Sequence, residues 1–261
     1  MSAVLSIGTI HPWNIAGVGL DIALGARLGV EVLSIVTAVS AQDGRGVRAL
    51  HPIPLDIVRE EISSVPWERI AAIRIGALPS GAHVALAAEL LERDPDLLAV
   101  VDPVLAASTG GALGDASVLP SMRARMLERA NVVLTPNLSE AAALLGCEPI
   151  DRETMEQGAR SLLIRGMRAV LLKGGHLSGE PCDLLAERAP NGERIELFSA
   201  PRIAGEARGT GCTLAFGIAA ALAHGSTLRE SVLAGRALVR EAIAHARGML
   251  TPATTKDRNI E

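Results

Sequence analysis

The segment Arg208-Gly209-Thr210-Gly211-Cys212-Thr213 leads directly into a long apolar, alanine-rich stretch. Two glycines flanking a threonine let the backbone come close to a ligand. A helix starting there aims unpaired N–H groups and a partial positive charge at the same point, so Gly209, Thr210 and Gly211 read as an anion hole. Cys212 falls in the first turn, where that field is expected to lower the thiol pKa and make it a usable base or nucleophile. The same residues also suit a tight turn followed by a cysteine packed as a small hydrophobe.

Three further segments carry chemistry of the complementary kind. Lys173-Gly174-Gly175-His176 follows the apolar run 169–172, and the glycines keep bulk away from whatever Lys173 reaches. His176 reads as a surface or supporting residue, since nothing in the sequence supplies it with a partner. Asp102-Pro103-Val104 and Thr135-Pro136-Asn137-Leu138-Ser139-Glu140 each follow another apolar run. Asp102 and Glu140 could jointly hold Mg²⁺, which takes one or two carboxylates plus water and phosphate oxygens. Singly, each has a plainer role: Lys173 as a solvated loop residue, Asp102 as a turn residue before proline, and Glu140 as a favourable charge on a helix N-terminus.

These residues need a scaffold that brings them together. Short apolar runs over 4–7, 32–39, 71–75, 97–101, 132–134 and 169–172 predict strands. Stretches of helical period over 19–28, 55–64, 81–92, 117–129, 139–145 and 153–165 alternate with them. A hairpin is expected over 182–186 and 194–198, turning at Pro190-Asn191-Gly192, followed by helices over 213–224 and 228–247. Runs such as Leu98-Ala99-Val100-Val101 are apolar on both faces, as central parallel strands are. The expectation is an α/β fold with a central, mostly parallel sheet and helices on both faces. Its strand C-termini would gather the anion hole, the lysine and the acidic pair at one edge, where such sheets bind ligands. That set suits phosphoryl transfer, in which the protein positions groups and neutralises charge.

Composition narrows the classes. At 261 residues the chain is long enough for one large α/β unit, expected over 1–250 with a polar tail over 251–261. With 49% hydrophobic and 21% charged residues it is not a disordered chain. A net charge of −4, dispersed basic residues and only 2% aromatics argue against a nucleic-acid binder. No apolar run reaches the length of a membrane span and the first residues lack a basic flank, so a cytoplasmic protein is expected. Cys147, Cys182 and Cys212 are odd in number and lack paired-ligand spacing, which disfavours a disulfide framework or a zinc site. No GxxxxGK[ST] motif is present, and Gly17-Val18-Gly19 lacks the third glycine of a dinucleotide fingerprint. Homo-oligomerisation stays open.

Taken together, Val-Leu-Leu-Lys-Gly-Gly-His (170–176), Leu-Thr-Pro-Asn-Leu-Ser-Glu-Ala (134–141), Val-Asp-Pro-Val (101–104) and Gly-Thr-Gly-Cys-Thr (209–213) resemble the ribokinase-like superfamily. More closely they resemble the hydroxymethylpyrimidine/phosphomethylpyrimidine kinases of thiamine biosynthesis, because most superfamily members carry Asp where Cys212 stands. The resemblance runs from Gly8 to about residue 247. It implies a kinase that uses ATP and Mg²⁺ to phosphorylate a heterocyclic alcohol or its monophosphate. Cys212 would then stand beside the substrate hydroxyl, on the Gly209 to Gly211 anion hole. Lys173, Asn137 and Thr210 would line the ATP phosphates, and Asp102 and Glu140 would surround Mg²⁺. Gln42, Asp21, Gly8, Gly76 and Val104 would contact the pyrimidine, the Gln42 amide pairing with an aminopyrimidine edge in both directions.

The departures from that pattern cluster at the substrate side. Gly8-Thr9-Ile10-His11-Pro12-Trp13-Asn14-Ile15-Ala16-Gly17 replaces the family's Gly-Ser-Asp-Ser-Ser-Gly-Gly-Ala-Gly loop, Ala77 replaces a Met, and Ala207 and Arg208 replace Thr and His. The phosphate-site motifs are kept, which implies a working kinase with a shifted substrate. Pyridoxal or another vitamin-like ring is the near rival. A catalytically silent protein that binds a pyrimidine or nucleotide in the same cleft is the rival of another class. Trp13 reads equally as a lid over the ring or as core packing.

Overall fold

The computed structural model describes residues 2–43, 46–106, 111–175, 177–189, 191–205 and 207–249. His176, Pro190 and the tail 251–261 lie outside the described residues. Among those described, nine strands form one sheet: β1 (Ala3–Ile10), β2 (Glu31–Asp43), β3 (Gly46–Pro52), β4 (Ile70–Ile75), β5 (Ala99–Val101), β6 (Val132–Leu134), β7 (Ala169–Gly174), β8 (Cys182–Ala189) and β9 (Gly192–Ser199). Their spatial order is β3-β2-β1-β4-β5-β6-β7-β8-β9. The run from β2 to β7 is parallel, while β3, β8 and β9 pair antiparallel at the two ends.

Alternation along each strand separates two cores. Leu5, Ile7, Ile73, Ile75 and Val101 point to one face, under α2 (Leu55–Ser64), α3 (Gly81–Leu91), α4 (Val118–Ser121), α5 (Leu138–Leu145) and α6 (Met155–Leu163). Val4, Ala72, Val100, Val133 and Leu171 point to the other, under α1 (Gly17–Leu28), α7 (Thr210–Ala223) and α8 (Leu228–Met249). The two-sided burial expected for the central strands is met: Ala99, Val100 and Val101 expose nothing. No helix among the described residues is long and apolar enough to cross a membrane.

Two elements differ from expectation. β3 is absent from the expected strands; it is an edge strand, half-exposed and closed by Pro52, so it carries no apolar run to announce it. The helix expected over 117–129 splits into α4 and a wider π-helical turn at Met122–Met126, which delivers Met122 and Met126 to the core.

The long helices α7 and α8 cross at glycines. A Cβ on Gly217 would lie 2.8 Å from the Gly235 Cα and 2.8 Å from a Leu238 methyl. This close approach seats α7 directly against α8. Gly217→Val should therefore lower stability by about 2–3 kcal/mol, read from the urea unfolding midpoint at unchanged m-value.

Candidate active site at the strand C-terminal ends

The N-terminus of α7 is built by close backbone contact. Gly209 takes φ of 68°, and a Cβ there would overlap the Ile15 carbonyl oxygen, so only glycine lets this turn meet the loop after β1. The first helical bond runs from Thr213 N–H to Gly209 O at 2.8 Å. The N–H groups of Thr210, Gly211 and Cys212 consequently have no partner within the helix, as the anion-hole reading requires. The start of α1 arrives at the same place, with the Gly17 N–H beside the Cys212 sulfur.

The lysine and the two carboxylates do converge. Lys173 Nζ donates to Asp102 Oδ1 at 2.8 Å and stands 3.9 Å from Glu140 Oε2. A Cβ on Gly211 would lie 3.3 Å from Lys173 Nζ and 3.4 Å from Asp102 Oδ2, so the α7 N-terminus rests directly on the pair. Burial pushes the Lys173 ammonium down, and Asp102 and Glu140 more than offset it, leaving its pKa raised. Burial holds Glu140 above the ordinary carboxylate range, with Lys173 opposing and Asp102 reinforcing. Asn137 and Glu140 form a reciprocal cap on α5: Asn137 N–H donates to Glu140 Oε2 at 2.7 Å and Glu140 N–H to Asn137 Oδ1 at 2.8 Å. The Asn137 carbonyl is thus committed to the helix, and its amide group is what remains for a ligand.

Beneath this surface lies a residue the strand pattern concealed. Arg74, in β4, has no exposed surface and pairs with Asp21 of α1 at 3.2 Å and with Asp102 at 3.8 Å. Asp21 also accepts a hydrogen bond from Ser6 Oγ at 2.6 Å. The Cys212 sulfur lies against the guanidinium. A charge between two isoleucines, in a strand buried on both faces, was the signal available: such a residue must find a counter-charge inside.

The expected lowering of the Cys212 thiol is corrected by the structure. Burial pushes it above its ordinary value; Arg74 and the Gly17 N–H pull it back, but Asp102 and Asp21 add to the rise. Desolvation and two nearby carboxylates outweigh the Arg74 and Gly17 N–H contributions that favour the thiolate.

Gly8 and Gly76 share one floor. A Cβ on Gly8 would lie 3.6 Å from Arg74 Nη1 and 3.7 Å from Gly76 Cα, and one on Gly76 would press into the guanidinium. Val104, half-buried, follows Asp102 in a tight turn closed by its N–H on the Asp102 carbonyl at 2.8 Å. Gln42, one residue before the end of β2, accepts from Ser40 Oγ at 3.3 Å, and the adjacent Asp43 carbonyl accepts from Arg208 at 3.4 Å. That contact ties the Gln42 strand end to the entrance of the anion hole. In the altered loop Trp13 is 61% exposed, which excludes the core-packing alternative, whereas His11 is buried and its ring nitrogens make no well-aligned hydrogen bond.

A mostly parallel sheet with helices on both faces, and a glycine-opened helix resting on a Lys–Asp pair at the strand C-termini, defines a small-molecule kinase of the ribokinase-like fold. Solved structures agree: a phosphomethylpyrimidine kinase from Clostridium difficile 630 superimposes with a TM-score of 0.80 at 26% identity, covering 93% of this chain and 100% of that one. The pyridoxal kinase of Staphylococcus aureus in complex with pyridoxal gives a TM-score of 0.83 at 25% identity, covering 94% and 88%. Residues 13–254 match the family described as phosphomethylpyrimidine kinase, and the chain belongs to that family. A hydroxymethylpyrimidine/phosphomethylpyrimidine kinase from Streptomyces coelicolor is 39% identical over 242 residues, 92% of this chain and 88% of the relative. One from Mycobacterium tuberculosis is 38% identical over 248 residues, 93% and 88%.

The buried carboxyl of Asp21 yields a stability prediction. Burial raises its pKa to about 6, against the pull of Arg74 and Ser6 and with a push from Asp102. The folded protein thus keeps a proton that the unfolded chain releases near its ordinary value of 3.8, so stability falls as pH rises from about 4 to about 6 and levels off above. Two pKa units correspond to about 3 kcal/mol. Asp21→Asn should flatten that part of the stability–pH curve, measured by urea unfolding at intervals across the window.

Proposed function

We propose that this chain transfers the γ-phosphoryl group of ATP to the hydroxymethyl group of 4-amino-5-hydroxymethyl-2-methylpyrimidine, or to its monophosphate, in thiamine biosynthesis. One observation carries the reading: the Asp102–Lys173 pair lies against the Gly211 turn, so a cation, a carboxylate and three free N–H groups face one point. Phosphoryl transfer needs that combination more than it needs covalent chemistry. The name shared by the curated relatives at 37–39% identity supports the pyrimidine substrate.

In this reading Lys173, Thr210 and the Asn137 amide bind the ATP phosphates, and the N–H groups of Thr210, Gly211 and Cys212 hold the moving phosphoryl. Among the described residues no cluster of three or more His, Cys, Asp and Glu forms a metal cage. Two carboxylates converging on the Lys173 ammonium nevertheless fit Mg²⁺, which completes its shell with water and phosphate oxygens. Asp102 and Glu140 would hold it, and when bound it neutralises phosphate charge. Gln42, Gly8, Gly76 and Val104 bind the ring, while Asp21, which has no exposed surface, supports the site from beneath through Arg74 and Ser6. Cys212 orients the acceptor hydroxyl rather than stripping its proton in advance, because its thiol is held neutral. A loose transition state tolerates this, since the acceptor proton can leave late and pass to the transferred phosphate.

The altered loop and the likeness to Staphylococcus aureus pyridoxal kinase favour a second reading, a kinase acting on pyridoxal or another ring alcohol. Keeping Lys173, Asp102 and Glu140 together argues against a silent binder, for which a phosphate and metal site has no use.

ADP release from ATP decides among these. The pyrimidine alcohol should give kcat/KM of about 10⁴ M⁻¹s⁻¹ or above and exceed pyridoxal at least tenfold. The reverse ranking would move the substrate to pyridoxal, and no ADP release with any ring alcohol would leave the silent binder. Lys173→Ala should raise the ATP KM, lower kcat, or both, and should lower the melting temperature because Asp102 and Glu140 lose their cation; unchanged turnover of the folded variant would remove Lys173 from the phosphate site.

A further inference from the structure

Among the described residues Arg74 is a fully buried cation that the proposed mechanism does not use, and it lies against Asp21, Asp102, Cys212, Gly8 and Gly76. It stands opposite Ser6 of β1 and Val100 of β5 in the register of the sheet, and its side chain runs toward the strand C-termini under the glycine floor of Gly8 and Gly76. Three groups from three other elements close on it: Asp21 from α1 at 3.2 Å, Asp102 from the end of β5 at 3.8 Å, and the Cys212 sulfur from α7. None of its three nitrogens makes a well-aligned hydrogen bond, although the residue has no exposed surface. A buried guanidinium held only by ion pairs contributes little to stability for its desolvation cost. Its geometry instead makes it a spacer between the two halves of the site. Asp102 has Oδ1 on Lys173 at 2.8 Å and Oδ2 at 3.8 Å from Arg74, while the Cys212 sulfur lies beside Arg74 and the Gly17 N–H.

We propose that Arg74 is a positioning residue for phosphoryl transfer: its buried guanidinium holds Asp102 on the nucleotide side and Cys212 on the acceptor side at one fixed spacing. This rests on the reading of Asp102 as a metal-holding residue and Cys212 as the acceptor-side group. Glycine at 76 follows from the same requirement, because a Cβ there would displace the guanidinium. In-line transfer is sensitive to such spacing, and a shift of about 1 Å costs about 10²-fold in rate.

The test is steady-state kinetics of Arg74→Gln and Arg74→Lys with ATP and the ring alcohol that the wild-type protein turns over best, alongside melting temperature. Arg74→Gln should lower kcat by about 100-fold or more while both KM values stay within about threefold, and Arg74→Lys, which keeps the charge, should recover at least tenfold of the loss. A folded Arg74→Gln protein with kcat within threefold of wild type would overturn the proposal, whatever its melting temperature. If Arg74→Gln does not fold, the double variant Arg74→Gln/Asp21→Asn, which removes both charges of the pair, is compared with Asp21→Asn alone. A further 100-fold loss of kcat supports the positioning role and a difference under threefold overturns it. A wild-type protein that turns over no ring alcohol would instead overturn the kinase reading itself.

Discussion

A guanidinium with no exposed surface must be neutralised where it lies, and the rest of the site is arranged around that requirement. Arg74 comes from a central strand, and its two anionic partners come from a helix on one face and from the end of the next strand. Breaking such a pair by removing one member costs far more than the pair contributes, because the survivor is left as an unpaired buried charge. Ser6, Asp21, Asp102 and Cys212 are therefore tied to one another through β4, not merely collected on a shared rim.

The same burial explains the ionisation pattern. Carboxyls at Asp21 and Glu140 and the thiol at Cys212 are all raised, in each case by desolvation first. The cations Arg74 and Lys173 are held protonated by those carboxylates. In the proposed function such a site would take up further positive charge beside Asp102 and Glu140 and anionic phosphate on the α7 N-terminus, both meeting groups already fixed in place, which is the preorganisation that electrostatic catalysis needs.

Much of this was legible in the sequence. Apolar runs and helical periods locate the parallel strands and most helices, since a sheet covered on both faces leaves few polar interruptions. The glycine spacing at 209–211 marks a helix start against a ligand, and Asn137-Leu138-Ser139-Glu140 carries the spacing of a reciprocal cap. What stayed hidden depends on long-range contact. β3 is an edge strand whose half-exposed residues carry no apolar run, and Arg74 looks like an interruption until Asp21 and Asp102 are placed beside it. The sign of the Cys212 shift failed for the same reason: the helix field is local and readable, whereas the burial and the carboxylates opposing it come from residues 110 and 191 positions away, at Asp102 and Asp21. Exposure of Trp13 and burial of His11 in the altered loop were likewise beyond the reach of local pattern.

The central claim is that one point between the α7 N-terminus, Lys173 and Cys212 hosts the transferring phosphoryl, with the acceptor ring on the glycine floor. A crystal structure with the pyrimidine alcohol and a non-hydrolysable ATP analogue tests it directly. The account predicts the γ-phosphate on the N–H groups of Thr210 to Cys212, and the hydroxymethyl oxygen within hydrogen-bond reach of the Cys212 sulfur at about 3–3.5 Å from phosphorus. A nucleotide bound away from Lys173, or a ring whose hydroxyl lies well beyond that reach of both Cys212 and the γ-phosphate, would contradict it.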